Sequence, residues 1–123
     1  MILSKEYLKN LKIRKTVEKE IKGLEGKAKF RELGGVERYR YISRLQSVAN
    51  SESGIDLENL PEFAEIQVDM IAECLIDQSG NLLVETEDEK GFIRSLPHSV
   101  LDEMFEVCQD LNGFTDEGEA EKN

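Results

Sequence analysis

Hydrophobic residues near the start of the chain recur at helical spacing. Lysines occupy the other faces of this predicted helix. Ser4 lies at the position of an N-cap residue. We therefore predict a short first helix over about Ser4–Lys12. The apolar positions of this helix are Leu3, Tyr7, Leu8 and Leu11.

Two stretches of alternating residues come next, with a glycine-containing turn at residues 23–26 between them. This spacing predicts a β-hairpin. Each strand carries one charged residue on its apolar face, so we expect the hairpin to be half-exposed and to need helices packed on it. The positions that share the apolar face are Val17, Lys19 and Ile21 in the first strand and Ala28, Phe30 and Glu32 in the second.

After Gly34-Gly35 the helical period returns and predicts an amphipathic helix over Val36–Val48. The segment Asn50–Gly54 is expected to form a loop or hinge. The predicted apolar stripe of the helix is Val36, Tyr39, Ile42, Leu45 and Ala49. Its predicted solvated face is Glu37, Arg38, Arg40 and Arg44.

Pro61 can open a third helix, because the first turn of a helix does not need the missing amide hydrogen. This helix is apolar over much of its circumference, and we expect it to run to about Asp77 as the central helix. A turn is predicted at Ser79-Gly80-Asn81. The apolar positions of the central helix are Phe63, Ile66, Val68, Met70, Ile71, Cys74 and Leu75.

Two further helices are predicted in the last third of the chain. Thr86 and Glu89 form a capping box that opens a short helix ending near residue 95. Pro97 opens the last helix, and Asn112-Gly113 stops it. Its apolar stripe is Val100, Leu101, Met104, Phe105, Cys108 and Leu111.

These elements predict an α+β fold, a mainly helical single domain with an N-terminal β-hairpin and a disordered acidic C-terminal tail. We expect one compact domain over residues 1–114. Thr115–Asn123 holds four acidic residues and one lysine and should be disordered. A length of 123 residues with 39% hydrophobic content suits one modest core.

Charge is distributed unevenly along the chain. Residues 1–50 carry 13 Lys and Arg against 6 Asp and Glu, and residues 51–123 carry 3 against 20, which gives +7 and −17. We expect the two halves to attract each other within a chain or between subunits, and we expect a homo-oligomer. Nucleic-acid binding is not expected, because glutamates alternate with the basic residues and the chain is acidic overall.

The sequence predicts no membrane span, because no apolar run approaches the roughly 18 residues that a bilayer-spanning helix needs. The N-terminus lacks the features of a secretory signal, so we expect a cytoplasmic protein.

No catalytic, cofactor-binding or metal-binding residues are predicted, and we expect no enzyme activity. Cys74 and Cys108 lie 34 positions apart without the short spacing of a zinc site, and each falls on an apolar stripe. Asp77–Asp88 has oxygen-bearing residues at several positions of a calcium loop, but Leu82 stands where that loop requires glycine. His98, the single histidine, follows Pro97 and is interpreted as a helix-start residue.

Four short segments, taken in their order along the chain, resemble segments of a known protein family. They are Phe30–Arg38, Ile71–Asp77 followed by Gly80–Leu83, Glu85–Glu89 and Leu111–Phe114, and the acidic tail comes after them. Their order resembles the tail assembly chaperones of long-tailed, siphovirus-like bacteriophages and prophages. The likeness covers most of residues 16–118. It departs from the family at Gly34-Gly35, where a single glycine after a small polar residue is expected, and in the first strand, which lacks tryptophan and proline.

The resemblance implies a non-enzymatic assembly factor of the host cytoplasm that is absent from the mature virion. It implies binding to the tape measure protein, which the chaperone keeps soluble while the tail tube polymerises around it. The tail tube protein is the second implied partner, through a frameshift-extended form. Glu121-Lys122-Asn123 can be encoded by a run of adenines on which a ribosome slips back by one base.

The last helix offers a candidate contact surface formed by Leu101, Met104, Phe105 and Cys108. Met and Phe are adaptable contact residues, although ordinary core packing explains the same stripe. A second function also stays open: a small acidic regulator or nucleic-acid mimic that occupies the basic groove of a host or phage DNA-handling enzyme. That function requires acidic side chains on a rigid face at phosphate-like spacing.

Overall fold

The computed structural model describes residues 2–11, 13–50 and 54–114. The predicted disordered tail, Thr115–Asn123, lies outside the described residues. A 3₁₀ turn at Leu57–Asn59 precedes the third α-helix. The other elements are α1 (Lys5–Lys9), β1 (Thr16–Glu20), β2 (Lys27–Arg31), α2 (Gly35–Val48), β3 (Ala49–Asn50), β4 (Gly54–Ile55), α3 (Leu60–Cys74), β5 (Leu75–Ile76), α4 (Lys90–Arg94) and α5 (His98–Leu111). This order confirms the predicted α+β fold with an N-terminal hairpin.

The hairpin forms most of a three-stranded antiparallel sheet with the order β1-β2-β5. Val17 pairs with Phe30 across the hairpin, and Phe30 is fully buried. On the opposite face Glu18 pairs with Lys29 and Glu20 with Lys27. The sheet therefore has one face on the core and one charged face, as the alternating sequence predicts.

The central helix α3 ends at Cys74, so its predicted extension to Asp77 was wrong. Leu75 adopts an extended conformation and pairs with Phe30, while Ile76 pairs with Lys29. The side chain of Asp77 then accepts hydrogen bonds from the amides of Ser79 and Asn81, at 2.8 and 3.0 Å, and closes the predicted turn. A short apolar run of this kind is compatible with either a buried helix or a strand. Here it forms a strand, because it pairs with the edge of β2 that β1 leaves open.

The predicted apolar stripe of α2 was wrong at its N-terminal end and at Ala49, which is exposed and belongs to β3. Val36 and Tyr39 are 72% and 71% exposed, whereas Tyr41 and Val48 are buried. A helix turns by about 100° per residue, so steps of three residues drift around it and place Val36 opposite Leu45. The helix buries the side that carries Tyr41, Ile42, Leu45 and Val48.

The predicted loop after α2 contains a small antiparallel ladder, in which Ala49 pairs with Ile55 and Asn50 with Gly54. Ser51–Ser53 lie outside the described residues.

Helix α3 is the centre of the core, as predicted, and packs against α2, α4 and α5. Its buried side chains belong to the same core as residues of the hairpin, α5 and the segment after β5. The buried residues of this core include Ile21, Phe30, Tyr41, Ile66, Val68, Met70, Ile71, Cys74, Val84, Ile93, Val100, Met104, Phe105 and Cys108.

The capping bonds predicted between Thr86 and Glu89 and the stop predicted at Asn112-Gly113 are confirmed. Glu89 donates its amide to the Thr86 hydroxyl at 3.1 Å, and its carboxylate accepts from the Thr86 amide at 3.2 Å. At the end of α5 the Asn112 side chain accepts from the amide of Leu33 at 2.8 Å and donates to the carbonyl of Cys108 at 2.8 Å. These bonds attach the end of the last helix to the segment that opens α2.

Candidate protein-interaction surface

Most of the contact residues predicted on α5 lie in the core. Met104, Phe105 and Cys108 are buried, and only Leu101 of the four is partly exposed. The Phe105 ring stands edge-on to Tyr41 and Phe63, with centroids 6.3 and 5.9 Å away. Core packing, the alternative interpretation, is therefore what the folded chain shows, and these residues do not form an open groove. The sequence pattern of an apolar helical stripe is the same whether the stripe is buried by the chain itself or by a partner.

The two cysteines lie next to each other between α3 and α5. A hydrogen bond with Cys74, together with burial, raises the pKa of the Cys108 thiol well above its usual range. The Asn112 amide donates to the Cys74 sulfur at 3.9 Å. Both thiols are free and buried, so they act as small apolar core residues rather than nucleophiles.

A charged cluster joins α2, α3 and α4 around Asp69. The Asp69 carboxylate accepts from Arg44 at 2.6 Å and from Lys90 at 2.9 Å, and Arg44 also pairs with Glu62 at 3.2 Å. Burial by itself raises the pKa of Asp69, but the hydrogen bonds from Lys90 and Arg44 outweigh it and hold this pKa below its usual value. Arg44 was predicted to be solvated, yet it links the basic first half of the chain to the acidic second half.

Arg94 ties the short helix α4 to α3 near this cluster. Its guanidinium makes three hydrogen bonds to Glu65, at 2.9, 3.0 and 3.2 Å, and one to Glu87 at 2.6 Å. The bond from Arg94 to Glu87, with a second from Lys90, lowers the pKa of Glu87. Because every acid in this group has a cationic partner on a neighbouring element, the group positions helices rather than binds a ligand.

A cleft of about 220 Å³ lies between α2 and α3 and is lined by charges of both signs. Glu73 sits in it, and burial, with the nearby Glu37, raises the pKa of Glu73. Glu37 is engaged elsewhere, since it caps the Gly34 amide at 2.7 Å and pairs with Arg14 at 3.4 Å. The mixed lining gives this cleft no preference for a cation or an anion.

Exposed apolar side chains form a surface on the outer side of α2. Val36 and Tyr39 lie three residues apart on one face of the helix, and both are more than two-thirds exposed. We call Val36 and Tyr39 the α2 apolar face.

A second exposed apolar segment precedes the hairpin. Residues 2–10, which we call the N-terminal arm, contain the five-residue helix α1, whose N-cap Ser4 accepts from the Tyr7 amide at 3.1 Å as predicted. No residue of α1 is buried, and Tyr7 and Leu8 are 54% and 53% exposed. The apolar stripe predicted here therefore remains about half exposed.

A groove lies at the other end of the hairpin, where β5 stops short. The chain turns away at Asp77, so Lys27 and Ala28 of β2 have no neighbouring strand on that side. The resulting cavity of about 410 Å³ has Ala28, Leu75 and Met104 among its lining residues. Leu24 and Leu83, which are 40% and 51% exposed, also line it. We call these five residues the hairpin groove.

Comparison with known proteins gives no match: no protein-family model, no curated protein and no solved structure is similar to this chain. Across residues 2–11, 13–50 and 54–114, no helix is both long and apolar enough to cross a membrane. Within those same ranges no three His, Cys, Asp or Glu side chains are grouped so that they could hold a metal ion. The exposed apolar surfaces are therefore the features that call for a functional explanation.

Proposed function

We propose that the protein is a tail assembly chaperone of a long-tailed, siphovirus-like bacteriophage or prophage. In this role it binds the tape measure protein in the host cytoplasm, keeps it soluble and promotes polymerisation of the tail tube protein around it. It performs no enzymatic reaction and leaves before the virion matures. The order of the sequence segments suggests this family, and the α2 apolar face is the structural observation that supports the role.

The α2 apolar face suits a helical partner. Val36 and Tyr39 stand one turn apart on a rigid 14-residue helix, and a partner helix presents apolar side chains at the same spacing of three and four residues. Exposed apolar side chains that are grouped on one face of a protein often mark an interaction site, whereas single scattered ones do not. The tape measure protein is a long helical protein with apolar stripes that aggregate unless they are covered.

The charge of the chain supports the same role. A net charge of −10 on 123 residues gives the complex a strongly acidic exterior once the apolar faces are buried. Like-charged exteriors repel each other and keep proteins soluble. A coat of such subunits would keep an aggregation-prone partner dispersed.

The test is co-expression with the tape measure protein, sought as a long helical protein encoded by the next open reading frame downstream. The wild-type chain should keep that protein in the soluble fraction, and the double variant Val36→Ser/Tyr39→Ser should leave it in the pellet while remaining soluble itself. Leu57→Ser/Phe92→Ser is the matched control, because its side chains are also more than two-thirds exposed and lie outside the α2 apolar face. Equal solubility with the α2 variant, or without any chaperone, would contradict the proposal.

One observation favours the second candidate function, that of an acidic regulator or nucleic-acid mimic. Asp102, Glu106 and Asp110 are exposed along one side of α5 at four-residue steps, each a rise of about 6 Å. The three carboxylates form a short row on a rigid helix. The variant Asp102→Asn/Glu106→Gln/Asp110→Asn should abolish any inhibition of DNA binding that the wild-type chain produces in a mobility-shift assay.

A further inference from the structure

We infer that a cavity beside the start of the hairpin binds a carboxylate that carries an apolar chain, as a fatty acid does. The cavity lies between the beginning of β1, the end of β2 and the turn after β5, and we call it the Arg31 cavity. It shares no residue with the α2 apolar face, so the inference does not depend on the proposed function.

The Arg31 cavity is lined by positive charge. Its volume is about 400 Å³, which is in the range of small-molecule sites. Its described lining residues include two arginines, Arg14 and Arg31, and neither an aspartate nor a glutamate. The cavity at the hairpin groove and the cleft between α2 and α3 are both lined by charges of the two signs. The Arg31 cavity should therefore select anions.

Arg31 is held in position but has no acidic partner. It pairs across the hairpin with Thr16, whereas the two lysines that precede it on β2 pair with glutamates. Its Nε–H donates to the carbonyl of Glu73 at 3.1 Å, and no carboxylate in the described part of the chain forms an ion pair with its guanidinium. A partly buried cation without a counter-ion is unfavourable. The two Nη groups remain for a carboxylate, which a guanidinium binds through two parallel hydrogen bonds.

Arg14 contributes less charge to the cavity, because it already has partners. Its Nη1 lies 3.4 Å from the Glu37 carboxylate and donates to the carbonyl of Glu32 at 3.3 Å. Arg14 and Glu37 are neutral together, so the site keeps the single positive charge of Arg31. A carboxylate matches that charge, whereas a phosphate monoester carries about −1.5 to −2 at pH 7.

Apolar side chains lie beside Arg31 in the same cavity, which Leu11, Ile76 and Leu82 line. Ile76 pairs with Lys29 on the outer face of the sheet, where it is 4% exposed and separate from the main core. An alkyl chain placed against these side chains would leave water without losing hydrogen bonds. A peptide would bring backbone amide and carbonyl groups that apolar side chains cannot satisfy. The lining therefore favours a fatty acid over an acidic segment of a protein.

Octanoate is the probe, and isothermal titration calorimetry measures its binding to the full chain. The wild type should bind one equivalent. Acetate lacks the chain and 1-octanol lacks the charge, so each should bind at least about tenfold more weakly. Octyl phosphate should bind no more tightly than octanoate. In two-dimensional nitrogen–proton NMR spectra, octanoate should shift the amides of Thr16, Arg31 and Leu82.

Two variants and a matched control locate the site. Arg31→Gln should weaken octanoate binding by about tenfold or more, because it removes the charge and the paired hydrogen bonds. Arg40→Gln is the control and should bind like the wild type, since Arg40 is exposed on α2 and does not line the cavity. Leu82→Asp keeps Arg31 and should abolish binding, because its carboxylate would occupy the guanidinium. This variant is decisive if Arg31→Gln lowers the thermal midpoint.

Several results would overturn the inference. They are a wild type that does not bind octanoate, equal affinity for 1-octanol, tighter binding of octyl phosphate, and undiminished binding by Arg31→Gln or Leu82→Asp. Equal weakening by Arg40→Gln would also overturn it, because the effect would then follow the net charge of the chain and not this cavity.

Discussion

At the residue scale, Asp69 and Glu73 lie one turn apart on α3 and have opposite electrostatic surroundings. Asp69 accepts hydrogen bonds from a guanidinium and an ammonium group, and its pKa is lowered. Glu73 is half-buried, with Glu37 near it, and its pKa is raised. The two carboxylates should therefore affect the stability of the fold in opposite directions as the pH changes.

Replacing Asp69 by Asn should destabilise the protein at neutral pH. A carboxylate with a lowered folded pKa stabilises the fold above its unfolded pKa of about 3.9, and this contribution disappears as the pH falls through the folded value. For a partly exposed cluster, we expect Asp69→Asn to lower the free energy of unfolding at pH 7 by about 1 kcal/mol. Urea titrations at pH 7 and pH 3 measure this, and the difference from the wild type should be smaller at the lower pH. An equally large difference at pH 3 would mean that the charge of Asp69 is not its source.

Replacing Glu73 by Gln should have the opposite effect. A carboxyl group with a raised folded pKa favours its protonated form in the fold, so the ionised group opposes folding at pH 7, and this penalty is lost as the pH falls below the unfolded value of about 4.3. Glu73→Gln should raise the thermal midpoint at pH 7 and leave it unchanged at pH 3. A lower midpoint at pH 7 would show that ionised Glu73 has a favourable partner.

At the scale of elements, α2 and α5 differ in what covers their apolar stripes. Helix α5 buries Val100, Met104, Phe105 and Cys108 against the hairpin and α3. Helix α2 buries one side and exposes Val36 and Tyr39 on the other. Both helices show apolar residues at helical spacing, so a substitution on each should reveal the difference between core and surface.

Truncating Phe105 should test its place in the core. The ring is 5% exposed and contacts Tyr41 and Phe63, so Phe105→Ala should lower the free energy of unfolding by about 3–5 kcal/mol through lost burial and the cavity left behind. Denaturant unfolding measures the change. The matched substitution Val36→Ala on the exposed side of α2 should stay within about 0.5 kcal/mol of the wild type. A folded Phe105→Ala variant of near wild-type stability would mean that this side chain faces a partner instead.

At the scale of the whole molecule, some charges of the basic half form ion pairs with the acidic half of the same chain. Arg44 of the basic half pairs with Glu62 and Asp69 of the acidic half. Lys5 and Lys9 on the N-terminal arm are exposed and stay available to a neighbouring copy, as do the acids along α5. Because the two halves carry +7 and −17, assembly should have an electrostatic component.

Salt should therefore reduce self-association. Raising the salt concentration from ~0.1 M to ~1 M shortens the Debye length from about 10 Å to about 3 Å and screens the attraction between basic and acidic surfaces. Light scattering at both concentrations should show larger species at low salt that lose mass at high salt. A strict monomer at high protein concentration in low salt would contradict this prediction.

Local sequence determined the order of the elements and their boundaries where a cap or a turn acts. Ser4, the pair Thr86 and Glu89, and Asn112 all perform the predicted roles, because capping bonds involve residues within one turn. The apolar sides of α3 and α5 were also predictable, since both helices repeat their apolar positions over three or more turns.

Tertiary structure decided which apolar residues are covered, because burial depends on elements that are distant in sequence. Leu75 and Ile76 leave α3 since β2 offers its edge, and Tyr41 replaces Val36 and Tyr39 on the buried side of α2 because Phe105 and Phe114 lie there. The candidate surfaces could not be predicted for the same reason. A stripe of apolar residues has one pattern, whether the chain covers it, as on α5, or leaves it about half exposed, as on the N-terminal arm.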